Sequence, residues 1–151
     1  MKHIKPNIIL ILADDLGYGD LGCYGSTLHR TPRIDEMRQD GVLFTDFYAA
    51  SPQCSPSRAA FMTGCYPQRV GLGLGYDFPV LLPGDPLGLN PDEITIAKLI
   101  KSAGYATQII GKWHLGDQPG FLPNEHGFDN YYGLPSSNDH YSKRPAQERT
   151  H

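Results

Sequence analysis

The sequence predicts an α/β fold, a largely parallel central sheet flanked by helices. Three observations carry this. Asn7 to Ala13 is a continuous apolar, partly β-branched run, the pattern of a strand buried on both faces. A second strand-like segment, Tyr105-Ala106-Thr107-Gln108-Ile109-Ile110, follows a stretch with helical spacing and a glycine stop at Gly104. Between the two runs lie further helix starts and stops, and strands alternating with helices imply an α/β layer.

Taken in order, the first strand ends in Asp14-Asp15-Leu16-Gly17-Tyr18-Gly19-Asp20. Thr31-Pro32 opens a short helix, with proline at the first helical position and Gly41 beyond its end. Val42 to Tyr48 is another strand candidate. The segment Ser57 to Thr63 reads as a helix closed by Gly64, with Cys54 just before it. Asn90-Pro91-Asp92-Glu93 has the form of a helix start, a capping Asn followed by Pro and then Glu. Ile96, Leu99, Ile100 and Ala103 follow at helical spacing. The last strand runs into Gly111-Lys112-Trp113-His114.

Composition narrows the function. The chain has 151 residues, 13 basic against 16 acidic, for a net charge of −3. It has no basic run of the kind a nucleic acid or an anionic membrane would need. Its longest apolar stretch, Ile8 to Ala13, is too short for a membrane span or a signal-peptide core. The cysteines are Cys23, Cys54 and Cys65, an odd number that does not describe a disulfide scaffold. A Cys54–Cys65 bridge is open on spacing but would have no need of Pro56 and Arg58, and Cys23 and Cys65 read as small, partly buried side chains. Residues from Gly64 to Pro91, and again after Trp113, lack sustained periodicity, so the chain is expected to be the N-terminal part of a longer domain spanning 1–151 here.

The chemistry concentrates at few positions. Cys54-Ser55-Pro56-Ser57-Arg58 places a sulfur near a helix N-terminus, where N–H groups and the dipole favour anions. Arg58 adds a planar cation on the same turn. Asp14 and Asp15 are adjacent carboxylates after a buried strand, a hard-oxygen pair suited to Ca²⁺ or Mg²⁺, with a solvated turn as the alternative. Lys112 and His114 stand two apart in an extended segment, so both point to one side, and either could orient an anion or move a proton. Ligands of open α/β sheets bind outside the carboxyl ends of the strands, so these groups are expected at one edge. His3, His29, His126, His140 and His151 read as surface or structural.

Cys-Ser-Pro-Ser-Arg at 54–58 fits the modification motif Cys-x-Pro-Ser-Arg of the formylglycine-dependent sulfatases. The string from Gly104 to His114 resembles the second sulfatase signature, and Thr31-Pro-Arg-Ile-Asp35 and His126-Gly-Phe-Asp129 look familial. With Asp14-Asp15, these occur in the order of the N-terminal region of that family, from Pro6 to Asp139, nearest in look to the arylsulfatase A type. The resemblance implies an alkaline phosphatase-like fold, incomplete in this chain. It implies that Asp14, Asp15 and position 54 face a Ca²⁺, ahead of Mg²⁺, and that Cys54 is oxidised to formylglycine by a separate modifying enzyme. Arg58 would steady the aldehyde hydrate, Lys112 would hold hydrate and sulfate, His114 would assist proton transfer, and Ser137 would contact substrate, with Ser136 beside it as the competing alignment.

The implied reaction is hydrolysis of a sulfate monoester, on a small molecule or a carbohydrate. Metal, Arg58 and Lys112 would offset the negative charge that repels nucleophiles. One hydrate oxygen attacks sulfur and expels the alcohol, and loss of a proton from the second hydroxyl re-forms the aldehyde and releases sulfate. The alternatives are a phosphodiesterase or phosphonate hydrolase of the same superfamily, a Cys54–His114 thiol hydrolase, and a fragment without catalysis. Relatives of this kind are often periplasmic, secreted or lysosomal, and no signal is visible in the sequence.

Overall fold

The computed structural model describes residues 5–141, and the chain divides into two compact units, Met1–Phe47 and Tyr48–His151. Within the first, helix α1 spans Pro32–Asp40 with Pro32 at its first position, as the sequence predicts. It is anchored by Asp35, whose carboxylate accepts from the Cys23 backbone N–H at 2.6 Å and from the Thr31 hydroxyl at 3.0 Å. The Thr31 oxygen in turn accepts from the N–H of Gly22 at 2.8 Å, which explains why it does not cap α1.

The two strands expected in this unit do not form. Residues 7–13 carry no strand, and Ile9 and Ile11 are 82% and 83% exposed. An apolar run favours burial, but a strand exists only by pairing. The sheet among the described residues has two strands, both in the second unit. Residues 42–48 are held instead by tyrosine hydroxyls. Tyr18 Oη donates to the Phe47 carbonyl and accepts from its N–H, both at 2.7 Å, and Tyr24 Oη donates to the Phe44 carbonyl at 2.7 Å. Those bonds satisfy backbone groups that a ladder would otherwise use.

In the second unit, helix α2 spans Cys54–Thr63 and helix α3 spans Ile96–Ser102. Strands β1, Gln108–Lys112, and β2, Asn130–Leu134, pair in parallel with Gly111 opposite Gly133. A short helix, α4, spans Asn138–Tyr141. Two sequence expectations shift. Asn90 begins a turn rather than a helix, its carbonyl accepting from Glu93 N–H and its side chain from Asp92 N–H, each at 3.0 Å. The cap of α3 is Thr95, whose hydroxyl accepts from Lys98 N–H at 3.2 Å and donates to the His126 carbonyl at 2.5 Å. Starting five residues later changes the buried face, so Ala97 is buried and Leu99 is 60% exposed. β2 is a strand the sequence reading missed.

The core is Ala59, Val70, Leu72, Leu81, Leu89, Ala97, Trp113, Leu115 and Phe128. Val70, Leu72, Leu81 and Leu89 come from the aperiodic stretch after Gly64, which is therefore a structured part of the core despite its lack of helix or strand. Trp113 lies at the centre. Its Nε1 donates to the Phe121 carbonyl at 2.8 Å, and its ring meets His126 at 5.4 Å and Phe128 edge-on at 6.2 Å. The three cysteines are free thiols, so the bridge left open between Cys54 and Cys65 is absent. Among the described residues, no helix is long and apolar enough to cross a membrane.

Candidate active site

Cys54 is the first residue of α2, three positions earlier than the sequence predicts. Gln53 precedes it in extended conformation and makes no side-chain cap, and the first ladder bond runs from Ser57 N–H to the Gln53 carbonyl at 3.0 Å. Pro56 therefore sits in the first turn, where a missing N–H costs no helical bond. The first-turn N–H groups of Cys54 and Ser55 lie outside the helical ladder and face the N-terminal end, where an anion is favoured. Gly64 ends the helix in the left-handed region at φ 68°, its N–H returning to the Ala60 carbonyl at 2.8 Å.

The segment after β1 is drawn to this turn. Arg58 Nη1 donates to the backbone carbonyl of Lys112 at 2.6 Å. Pairing with the other strand continues past β1, with Trp113 N–H bonded to the Leu134 carbonyl at 2.9 Å and His114 N–H to that of Pro135 at 3.0 Å. His114 is 2% exposed, and its Nε2 lies 2.8 Å from the Leu81 carbonyl. A carbonyl only accepts, so Nε2 carries the proton in this contact. Ser136 and Ser137 leave β2 at the same end and are both buried. Ser137 Oγ lies 3.3 Å from the Asp139 carboxylate.

Cys54, Arg58, Lys112, His114 and Ser137 thus belong to one unit, with Lys112, His114 and Ser137 at the carboxyl ends of its parallel strands. Asp14 and Asp15 belong to the first unit, in an exposed turn. Asp15 has φ 59° and His114 has φ 60°, the two non-glycine residues with positive φ among those described. Such conformations cost of order 1–3 kcal/mol and concentrate at functional sites.

As a metal site, Asp14 and Asp15 have the right chemistry and insufficient number. Carboxylate oxygens suit Ca²⁺, which takes about 6–8 oxygen ligands from carboxylates, carbonyls and water together. Among the described residues there is no group of three or more His, Cys, Asp or Glu side chains able to hold a metal. The pair fits as part of a shell.

The sequence reading missed Ser55 and Leu81. Ser55 is 1% exposed, and its Oγ accepts from the Leu81 N–H at 3.1 Å. Nothing in the pattern Cys-x-Pro-Ser-Arg singles out its second position, and the part of Leu81 that matters is its backbone. Of the spare histidines, His29 is exposed and His126 is fully buried, a structural side chain. Neither ring nitrogen of His126 has a hydrogen-bond partner among the described residues. Burial, and then the charge of Lys98, push it down to about 4. His3 and His151 lie outside the described residues, as does the His140 side chain.

Parallel strands accompanied by helices, with Cys54 opening a helix whose Arg58 reaches the backbone of Lys112, place the chain in the class of α/β proteins with the alkaline phosphatase-like fold. The chain belongs to the sulfatase family, whose profile, described as Sulfatase, matches residues 6–151. It is 51% identical to arylsulfatase A of Bos taurus over 147 residues, 96% of this chain and 28% of that protein. It is 51% identical to steryl-sulfatase of Homo sapiens over 141 residues, 89% of this chain and 24% of the other. Among solved structures, Ps i-CgsB in complex with k-i-k-neocarrahexaose superposes with a TM-score of 0.78 at 48% identity, covering 86% of this chain and 28% of that one. The chain spans about a quarter of the length of these relatives.

Proposed function

We propose that the whole protein hydrolyses a sulfate monoester, using formylglycine made from Cys54 and a bound Ca²⁺. The observation that carries this is the first turn of α2, where Cys54-Ser-Pro-Ser-Arg58 is joined through Arg58 to the carbonyl of Lys112, in a chain of the sulfatase family. Both mammalian relatives are named sulfatases, which favours sulfate over the phosphodiester alternative.

Formylglycine supplies a geminal diol, one hydroxyl serving as nucleophile and the other as the route by which sulfate leaves. Asp14 and Asp15 would be among the ligands of a bound Ca²⁺, which would supply positive charge against an anionic ester. Arg58 fixes the backbone at Lys112 and adds a cation beside position 54. Lys112 binds the anionic ester. His114, held through Nε2 at the Leu81 carbonyl, hydrogen-bonds the hydrate and assists proton transfer. Ser137 contacts the substrate. The ester is that of a small molecule or a carbohydrate; an oligosaccharide occupies the neighbour Ps i-CgsB. A modifying enzyme must act on Cys54 first.

Mass spectrometry of the Cys54 peptide, after expression with a formylglycine-generating enzyme, tests the reading. The peptide is expected to lose the thiol and gain the aldehyde, with turnover of an aryl sulfate well above that of an aryl phosphodiester. An intact thiol in a protein that still turns over sulfate would overturn it, as would a preference for the phosphodiester.

A further inference from the structure

Leu81 connects the start of α2 to His114. Its N–H is held by Ser55 Oγ at 3.1 Å, and its carbonyl receives His114 Nε2 at 2.8 Å. Ser55 and His114 are 1% and 2% exposed, so water does not compete for either bond. The residue between them is fixed on both sides. Its side chain is in the core at 2% exposure, and Gly84 N–H, three positions on, is held by both carboxylate oxygens of Asp117 at 3.0 and 3.1 Å. The histidine backbone is also committed, at φ 60° and with its N–H on Pro135. The Leu81 carbonyl only accepts, so its contact with the ring requires the proton on Nε2.

The geometry points to Ser55 as a positioning residue: through Leu81 it fixes the Nε2–H tautomer of His114. This rests on the reading that His114 moves the proton at position 54. Ser55 touches neither substrate nor the reacting atoms. Its hydroxyl stands one residue after the cysteine, so the turn that carries the nucleophile also sets the orientation of the base. Loss of the hydroxyl leaves the buried Leu81 N–H without its acceptor, and the loop shifts to recover one. Small displacements of a catalytic group cost rate far more than binding.

The test pairs a spectroscopic arm with a kinetic one. In ¹⁵N-labelled protein near neutral pH, the wild type is expected to show His114 as the Nε2–H tautomer, Ser55→Thr to keep it, and Ser55→Ala to show a mixture. In turnover of an aryl sulfate, Ser55→Ala is expected to lower kcat by up to ~100-fold, with KM little changed. Ser55→Thr should recover most of the rate, and Ser55→Ala should cost nothing further in a His114→Gln background. If Ser55→Ala does not fold, Ser55→Cys, which keeps the volume and weakens the acceptor, takes its place with the same expected shifts. An unchanged tautomer in the Ala or Cys variant overturns the inference. So does an equal loss in both His114 backgrounds. A wild type that hydrolyses no sulfate ester defeats the proposed function instead, and the tautomer arm then still decides whether Ser55 sets His114.

Discussion

Arg58 Nη1 stands 2.6 Å from the carbonyl oxygen of Lys112, joining the first turn of α2 to the end of β1 across 54 positions of sequence. A guanidinium bonded to a backbone carbonyl is a charge-assisted contact, and it fixes the main chain from which the Lys112 side chain projects. Arg58 therefore serves structure and charge together.

Removing it should show in both. Arg58→Ala is expected to destabilise the protein by about 1.5–3 kcal/mol, the worth of a hydrogen bond to a charged group. Arg58→Lys keeps the charge but not the planar fork, so it should recover only part of that. Urea unfolding midpoints of the three proteins, set against their kcat values for an aryl sulfate, separate the two roles. Full stability in Arg58→Lys would remove the argument for the fork.

The strand pair makes a sharper steric prediction. Gly111 faces Gly133 across β1 and β2, and a Cβ on Gly133 would stand 1.9 Å from the Gly111 carbonyl oxygen. No rotamer relieves that, because the obstacle is backbone. Gly133→Ala should cost at least the ~3 kcal/mol at the upper end of overpacking. Gly111→Ala meets nothing within 4 Å and faces backbone strain alone at φ 114°, so it should be milder. Denaturant titration of both variants checks the order. The reverse order would mean the strands do not approach at this register.

How much of this was legible in the sequence depended on whether the signal was local. The boundaries of α1 and the glycine stop of α2 were read correctly, because proline at a first helical position and a left-handed glycine act through their own residues. The two strands of the first unit were read from apolar runs, which report burial and not pairing, and the structure shows neither. The start of α3 went wrong because two capping sequences compete, and the Thr95 hydroxyl prevails by also reaching the His126 carbonyl, a contact no local rule contains. β2 was missed because Tyr131, Tyr132 and Gly133 carry no alternation of polarity that the register with β1 could reveal. At the site, Cys54, Arg58, Lys112 and His114 were visible as types in a pattern. Ser55 and the Leu81 carbonyl were not, since their part in it is a matter of distance alone.

Stability should fall with acid in two steps. His126 is buried and neutral, held down to about 4 chiefly by burial. The unfolded chain takes up its proton from about pH 6.5, so stability is full above that value and is lost as pH falls towards about 4. Asp129 is held at about 2, first by the Lys101 ammonium at 2.6 Å and then by Thr107. Its contribution is present above the unfolded value of 3.8 and is lost as pH falls towards 2. His126→Phe should flatten the upper step and Lys101→Met should weaken the lower one. Urea midpoints measured between pH 7 and pH 2.5 test this. An upper step that persists in His126→Phe would assign it elsewhere.

Asp15 joins a backbone requirement to a charge requirement, and one pair of substitutions separates them. At φ 59° the residue occupies the left-handed region, which Asp and Asn tolerate and β-branched residues do not. Asp15→Asn keeps the turn while removing one carboxylate from the proposed Ca²⁺ shell. It should fold like the wild type and bind Ca²⁺ at least ~10-fold more weakly, a loss of about 1.4 kcal/mol. Asp15→Val should disturb the turn itself and lower stability even in the absence of metal. Calorimetric titration with Ca²⁺, together with thermal unfolding in chelator, reads the two effects independently. If Asp15→Asn binds Ca²⁺ as tightly as the wild type, the left-handed turn at Asp15 has a purely structural origin, and the metal must be held without it.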